Sequence, residues 1–309
     1  MVQPRAIAPL DVSVVIPTHD RHRLLAEAIS SVLRQTVPPK EIIVVDDVPS
    51  PATKAVVEEM SRASGPVMGY ITTTPLHRTA GESRNTGAMK ASGAYLAFLD
   101  DDDTWRQDHL ELLSGATSPD VPVAVSWSRY VREDTDARGM RIPPGITAGT
   151  MSYARNPGFI GSNFLIRADV FERVGGFDPT LRVANDLDLF LRLMQNGVRY
   201  AVVREETTLQ RAHDEGQLSA RTRARADGLR VFEAKYSDLM SARDRRYVDR
   251  QFHSVMRYCA DDPASRRAHL LRQAATYRPD DYVRLIARFV TGQHRIWAKG
   301  RGKSRGAAT

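Results

Sequence analysis

The chain has 309 residues, with 44 Lys and Arg against 37 Asp and Glu for a net charge of +7, and an ordinary globular composition of 42% hydrophobic and 26% charged residues. That length suits one large domain or a domain with an appendage, and no apolar run approaches the ~18–20 residues of a membrane helix. The N-terminus lacks the apolar core of a signal peptide and the single Cys259 excludes an internal disulfide or a multi-cysteine zinc site, so a cytoplasmic protein is expected.

Strands alternate with helices over the first hundred residues. The apolar run VSVVI (12–16) predicts a strand buried on both faces, and helical spacing of Leu24, Leu25, Ala28, Ile29, Val32 and Leu33 predicts a helix over 21–35. Pro38-Pro39 ends it, and EIIVV (41–45) reads as a second strand. A helix over 51–63, a strand near 67–71, a helix over 82–91 and the strand YLAFL (95–99) follow. Such alternation implies a mainly parallel, Rossmann-like α/β sheet whose ligands gather at the carboxyl ends of the strands. Three of those ends are polar: PTHDR (17–21), DD (46–47) and DDDD (100–103), and they are expected to share one crevice.

Beyond residue 120 the pattern loosens. VPVAVSW (121–127) predicts a strand, 133–150 a Gly/Pro/Asp-rich loop, GSNFLI (161–166) a strand, 168–174 a short helix, GGFD (175–178) a turn and 186–196 a helix. From about residue 217 onward only helices are expected, over 217–240, 244–259, 263–276 and 279–290, before a basic, disordered tail over 298–309. Charge divides the same way: residues 1–210 hold 22 basic and 26 acidic side chains, residues 211–309 hold 22 and 11. The expected organisation is therefore a sheet-based domain over 1–215, a basic helical region over 216–297 and the tail.

DDDD directly after a buried strand concentrates repulsion of roughly 1 kcal/mol per neighbouring pair in water, and about 4 at an effective dielectric of 20. A divalent cation would relieve it. The alternative is a solvated turn, with Asp103 or Thr104 as N-cap of a helix near 107–114.

VVIPTHDR (14–21), VVDD (44–47), GESRNTGAMKASGAYLAFLDDDD-W (81–105), GGFD (175–178) and NDLDLFLRL (185–193) stand in the order found in family 2 glycosyltransferases of the GT-A fold, which residues 11–215 resemble. The resemblance implies an inverting, metal-dependent transfer of a sugar from a nucleotide diphosphate, UDP above all, to an acceptor hydroxyl. It places Pro17, Thr18 and Asp20 around base and ribose, Asp47 on the nucleobase and Arg84 near base and phosphates. Asp100 and Asp102 match the ends of the DxD motif, Asp101 lies between them on the nucleotide side, and Asp102 with His213 would hold Mn²⁺ or Mg²⁺. Asp186 matches the general base. Two departures stand out: Val48-Pro49-Ser50 replaces a small-residue turn, and Asn185 replaces a usual Glu.

The chemistry is coherent with those roles. A metal on Asp102 stabilises charge on the leaving diphosphate, and a carboxylate on the opposite face takes the acceptor's proton. Asp186 opens a helix, where backbone N–H groups favour its ionised form, although an N-cap has the same address. Asp188 would orient it or meet the acceptor. Trp105 would stack on a sugar or anchor the core; His19, His22, His77 and His109 read as surface or capping residues, and Cys259 as packing. A sugar-phosphate nucleotidyltransferase is the first alternative, opposed by the absence of glycine in PTHDRHR; a non-catalytic binder of nucleic acid or anionic surfaces through the basic C-terminal third is the second. Specific nucleic-acid binding is not expected, and peripheral contact with an anionic membrane stays open. The acceptor, whether a glycan, a lipid-linked sugar, a protein or a secondary metabolite, is not legible.

Overall fold

The computed structural model describes residues 10–62, 65–73, 79–132, 135–211, 221–279 and 281–282. Its first half follows the expected alternation: β1 (Leu10–Thr18), α1 (His22–Leu33), β2 (Pro39–Asp46), α2 (Pro51–Arg62), β3 (Val67–Thr72), α3 (Ala80–Lys90) and β4 (Tyr95–Phe98). These strands are parallel, in the order β3-β2-β1-β4. The central place of β1 accounts for its unbroken apolar run, because Val14, Val15 and Ile16 are all inaccessible to solvent.

The sheet then continues through β5 (Asp103–Trp105), α4 (His109–Ala116), β6 (Val123–Arg132), β7 (Thr135–Arg138), β8 (Phe164–Arg167), α5 (Ala168–Arg173), α6 (Asn185–Gln195) and β9 (Tyr200–Arg211). The full order is β3-β2-β1-β4-β8-β6-β9-β5, with β7 paired to β6. β8 is antiparallel to both its neighbours while β9 is parallel to β6, so β1–β4, β6 and β9 point one way and the sheet is mixed but mainly parallel. Side chains alternate to two cores. Val15, Val45, Phe98 and Phe164 pack with α5 and α6 on one face. Val14, Ile16, Leu99 and Leu165 pack with α1 and α4 on the other.

Three strands escape the sequence pattern, and the first, β7, pairs with β6 inside the stretch expected as a loop over 133–150. In β9, Arg204, Glu205 and Glu206 interrupt the apolar residues, and its register with β6 shifts on either side of Trp127, so the alternation is broken. In β5 only three residues pair, Asp103 with Gln210, Thr104 with Leu209 and Trp105 with Thr208. Asp103 and Thr104 are therefore strand residues and not helix caps. α4 starts after Asp108, which makes no side-chain cap bond and sits in the fork of Arg106, 2.6 Å from Nε and 2.8 Å from Nη2. Trp105 belongs to the core: it is 4% exposed, donates to the Ser162 carbonyl at 2.7 Å and stacks on His109 at 4.3 Å. His109, expected at the surface, is fully buried, and burial pushes its imidazole down to about 3, so it is neutral.

Among the described residues after β9 only helices occur: α7 (Arg223–Tyr236), α8 (Ala242–Cys259) and α9 (Pro263–Ala275). Most of the expected helix over 279–290, and the tail over 298–309, lie outside the described residues. α7 and α8 share a core with α6, in which Leu181, Leu187 and Leu191 meet Phe232, Tyr236, Met240 and Val248. At its polar edge Asp188 is fully buried and accepts hydrogen bonds from Arg192 Nε (2.9 Å), Arg192 Nη2 (2.7 Å), Tyr236 Oη (2.7 Å) and Lys235 Nζ. Arg192 Nη2 also holds the Gly176 carbonyl at 2.6 Å, where Gly175 and Gly176 turn the chain at φ of 85° and 62°. Asp188 thus has no access to an acceptor and does not touch Asp186; it is the joint between α6 and the helical region. Removing it leaves Arg192 without its carboxylate partner and Lys235 with Asp178 alone. Asp188→Ala is expected to lower the unfolding free energy by about 3 kcal/mol, the low end for a broken buried network because both cations keep some solvent contact. Urea unfolding measures this; a loss below about 1 kcal/mol would equate the joint with a surface ion pair.

Candidate active site

Parallel strands deliver their carboxyl ends to one edge of the sheet, and here three polar ends are tied together. Thr18 Oγ1 and His19 N both donate to Asp101 Oδ2, at 2.8 and 3.2 Å. His19 Nδ1 lies 2.7 Å from Asp47 Oδ1. The ends of β1, β2 and β4 therefore form one crevice, as the pattern of polar punctuation required. Asp20, exposed, takes the left-handed conformation at φ 51° in the turn into α1. Asp47 is half-buried at the rim. Its neighbour Asp46 is fully buried and structural, bonded by Tyr70 Oη at 2.7 Å and Val48 N at 3.1 Å.

The four aspartates divide into two groups. Oxygens of Asp100, Asp102 and Asp103 all lie within 4.8 Å of one another. Asp101 faces away and is 4% exposed, bound by Thr18, His19 and Arg21 Nη1, the last at 3.0 Å. Burial pushes its carboxyl up to about 6 against the pull of Arg21. Its oxygens are engaged by Thr18, His19 and Arg21, so it clamps the acidic turn to the end of β1. Arg21 Nη1 reaches Asp102 Oδ2 as well, also at 3.0 Å. Asp103 is raised well above the carboxylate range by burial and by Asp102 and Asp100, while Ser162 Oγ and Arg211 N donate to it. A set of three carboxylates, all oxygen donors and mutually destabilising without a cation, fits a hard divalent ion.

The loop before β8 supports this turn. Ser162 Oγ also accepts from Asp100 N at 3.0 Å. Gly161 leaves room for the Arg84–Asp100 ion pair: a Cβ there would stand 2.6 Å from Arg84 Nη2 and 3.2 Å from Asp100 Oδ2. Arg84 is 3% exposed, with its guanidinium over the Phe177 ring at 5.1 Å. It is buried beside Asp100 and orients that carboxylate. Pro17 and Thr18 are likewise buried, so they shape the crevice floor without offering open surface. His213 lies outside the described residues.

Asp186 is the second residue of α6, just after Ala184, which adopts a left-handed φ of 57°. One oxygen accepts from Leu187 N at 2.7 Å and the other from Asn156 Nδ2 at 3.1 Å. Asn156 is itself fixed, accepting from Gly158 N and Phe159 N at 2.8 Å each and donating to the Phe159 carbonyl at 2.6 Å. Burial pushes the Asp186 carboxyl up to about 6, with Arg84 opposing and Asp100 adding to the rise. Those influences place Asp186 within electrostatic reach of the acidic turn. Tyr130 on β6 and Arg225 on α7 feel the same carboxylates, Tyr130 those of Asp103 and Asp102, Arg225 that of Asp186.

Sequence reasoning missed Arg21, Asp103, Asn156, Gly161 and Ser162. Gly161-Ser162-Asn163, read as the start of a strand, is a turn-type cluster before the apolar residues of β8, and that composition was the available signal. Asn156 precedes a Pro-Gly pair, again a loop signal with no chemistry attached.

Comparison with known proteins agrees with this geometry. The family described as Glycosyl transferase family 2 matches residues 13–175, more than half of the chain. The putative colanic acid biosynthesis glycosyl transferase WcaA of Escherichia coli is 28% identical over 242 residues, covering 76% of this chain and 85% of that protein. The succinoglycan biosynthesis protein ExoO of Rhizobium meliloti is 28% identical over 274 residues, covering 84% and 72%. The structure of the mannosyltransferase PcManGT from Pyrobaculum calidifontis, in complex with GDP-Man and Mn²⁺, superposes with a TM-score of 0.61 at 18% identity, covering 96% of this chain and 87% of that one. At that identity the likeness shows the fold, which is the GT-A arrangement.

A cation bound at the acidic turn would stabilise the folded chain by mass action. Saturating Mn²⁺ is expected to raise the melting temperature by about 5 °C. Asp102→Asn and Asp103→Asn should each abolish most of that rise. The rise should shrink as pH falls, because protons compete for the same oxygens. Scanning calorimetry with and without EDTA checks all three.

Proposed function

The chain belongs to glycosyl transferase family 2, and from that premise we propose that its crevice performs an inverting transfer with Asp186 as the general base. The coarser activity follows from membership and fold: a sugar moves from a nucleotide-sugar to an acceptor. The finer reading rests on one observation, that a half-buried carboxylate of raised pKa is held by Asn156 beside the Arg84–Asp100 pair at the acidic turn.

In this reading the nucleoside lies along the strand ends, with Asp47 accepting from the base and Asp20 at the ribose, and UDP is the expected nucleotide. Asp100, Asp102 and Asp103 would hold the divalent ion, Mn²⁺ or Mg²⁺, which when bound supplies Lewis-acid stabilisation of the diphosphate charge. Arg84 and Ser162 keep these carboxylates aimed into the crevice. The acceptor hydroxyl approaches the anomeric carbon from the side of Asp186, whose carboxylate takes its proton as the new C–O bond forms. The bond to the diphosphate breaks on the opposite face, and its electron pair leaves with the phosphate oxygen. One displacement without a covalent enzyme intermediate inverts the anomeric centre. Two of the relatives are named for colanic acid and succinoglycan biosynthesis, which supports a hydroxyl of a growing glycan as acceptor.

Asp186→Asn keeps the shape and the bond from Leu187 but cannot take a proton. It is expected to lower the transfer rate about 10²–10⁴-fold with nucleotide affinity close to wild type. Because the base acts only when ionised, wild-type kcat/KM should fall about tenfold per pH unit below the carboxyl's value of about 6. A rate within a few-fold of wild type, or a product retaining the donor's anomeric configuration, overturns the assignment. Separately, Asp47→Ala should weaken UDP binding about tenfold in calorimetry without altering the fold.

A further inference from the structure

A second concave surface lies in the helical region. The C-terminal end of α8, the start of α9 and the segment before α7 enclose a groove of about 590 Å³, lined by Arg221, Arg257, Arg266 and Arg267 with Tyr258 and Leu270. No carboxylate lines it. Among the described residues none of these four arginines is in an ion pair: Arg221 lies over the Tyr258 ring at 5.7 Å and Arg266 donates to the Ala260 carbonyl at 3.0 Å. The nearest acidic residues in sequence are engaged elsewhere, Asp261 by Arg223 at 3.2 Å and Asp262 by Ser265 N at 2.8 Å.

α9 is a helix with no buried residue and no acidic one. Its two leucines stand outward, Leu270 44% and Leu271 62% exposed, and Leu270 lines the groove with Tyr258, itself 62% exposed. Folding does not use this apolar surface, and cations border it. The sequence that follows, residues 283–309, adds seven Lys and Arg and no Asp or Glu.

We propose that this face docks on an anionic lipid bilayer. Guanidinium groups bind phosphate oxygens in a bidentate manner, and unpaired arginines retain that capacity. Exposed leucines and a tyrosine beside them match the headgroup–acyl boundary, where apolar side chains enter and a phenol stays at the interface. Charge alone would suit nucleic acid as well. Two adjacent leucines offer no stacking platform for bases, whereas they add affinity in a membrane. The docking surface does not depend on Asp186 being the base.

The test is co-sedimentation of the full chain with vesicles of equal parts phosphatidylglycerol and phosphatidylcholine, against vesicles of phosphatidylcholine alone. Binding is expected only to the anionic vesicles and should weaken steeply as salt rises. The triple variant Arg257→Gln, Arg266→Gln, Arg267→Gln should lose roughly a hundredfold in vesicle affinity. Leu270→Ser with Leu271→Ser should weaken vesicle binding at unchanged charge, and both variants should keep the wild-type circular dichroism spectrum and UDP affinity. Equal binding to neutral vesicles, or unchanged affinity in the arginine variant, overturns the proposal. So does tighter binding to a short DNA duplex than to anionic vesicles, with no effect of the leucine substitutions on either.

Discussion

Four consecutive carboxylates at the end of a buried strand repel one another, and the surrounding structure can be read as the set of contacts that tolerates them. Arg21 takes Asp101 and Asp102, Arg84 takes Asp100, and Ser162 serves both Asp100 and Asp103. These partners come from the turn into α1, from α3 and from the loop before β8, so the constraint reaches into the topology. β1 has to neighbour β4 for Thr18 and Arg21 to reach Asp101. β8, on the other side of β4, has to run antiparallel for its preceding loop to arrive at the same edge. The compensation is incomplete without a cation, since Asp103 remains raised by its neighbours. Three carboxylates left in that state form an acidic cluster suited to a divalent cation.

Much of this was legible in the chain itself. The runs VSVVI, EIIVV and YLAFL announce central parallel strands because a strand buried on both faces has no polar side to display. Their polar ends announce the crevice. What stayed hidden depends on distant pairing. β9 carries charges along its length, and only its partner β6 makes a strand of it; β5 is three residues inside an acidic turn. Individual side chains were harder still. Asp101 and Asp102 are neighbours of one type, yet one is turned inward by Thr18 and the other outward, and no local rule separates them. Asp186 and Asp188 likewise share a turn of α6 and have opposite fates, one at the crevice and one in the core.

That division gives α6 two roles. Its N-terminus carries Asp186, and its far side carries Asp188, Leu187 and Leu191 into the joint with α7 and α8. A second strand of contacts runs in parallel. Asp244, in the capping box of α8, accepts from Ser152 Oγ at 2.6 Å; Ser152 in turn accepts from Ala154 N and Arg155 N. Asn156, next along that loop, holds Asp186. The proposed base is thus positioned from the helical region as well as from the sheet.

The buried position of Asp188 has a consequence for how such chains can recombine. A chimaera joined after β9, where strands give way to helices, would pair the Asp188 of one parent with the α7 of another. Unless the incoming helix presents a lysine and a tyrosine at the places of Lys235 and Tyr236, the junction traps a carboxylate with half its hydrogen bonds. The inheritable block is therefore the chain from the Ser152–Asn156 loop through α6 to the helical region, and a tolerated crossover falls before Met151.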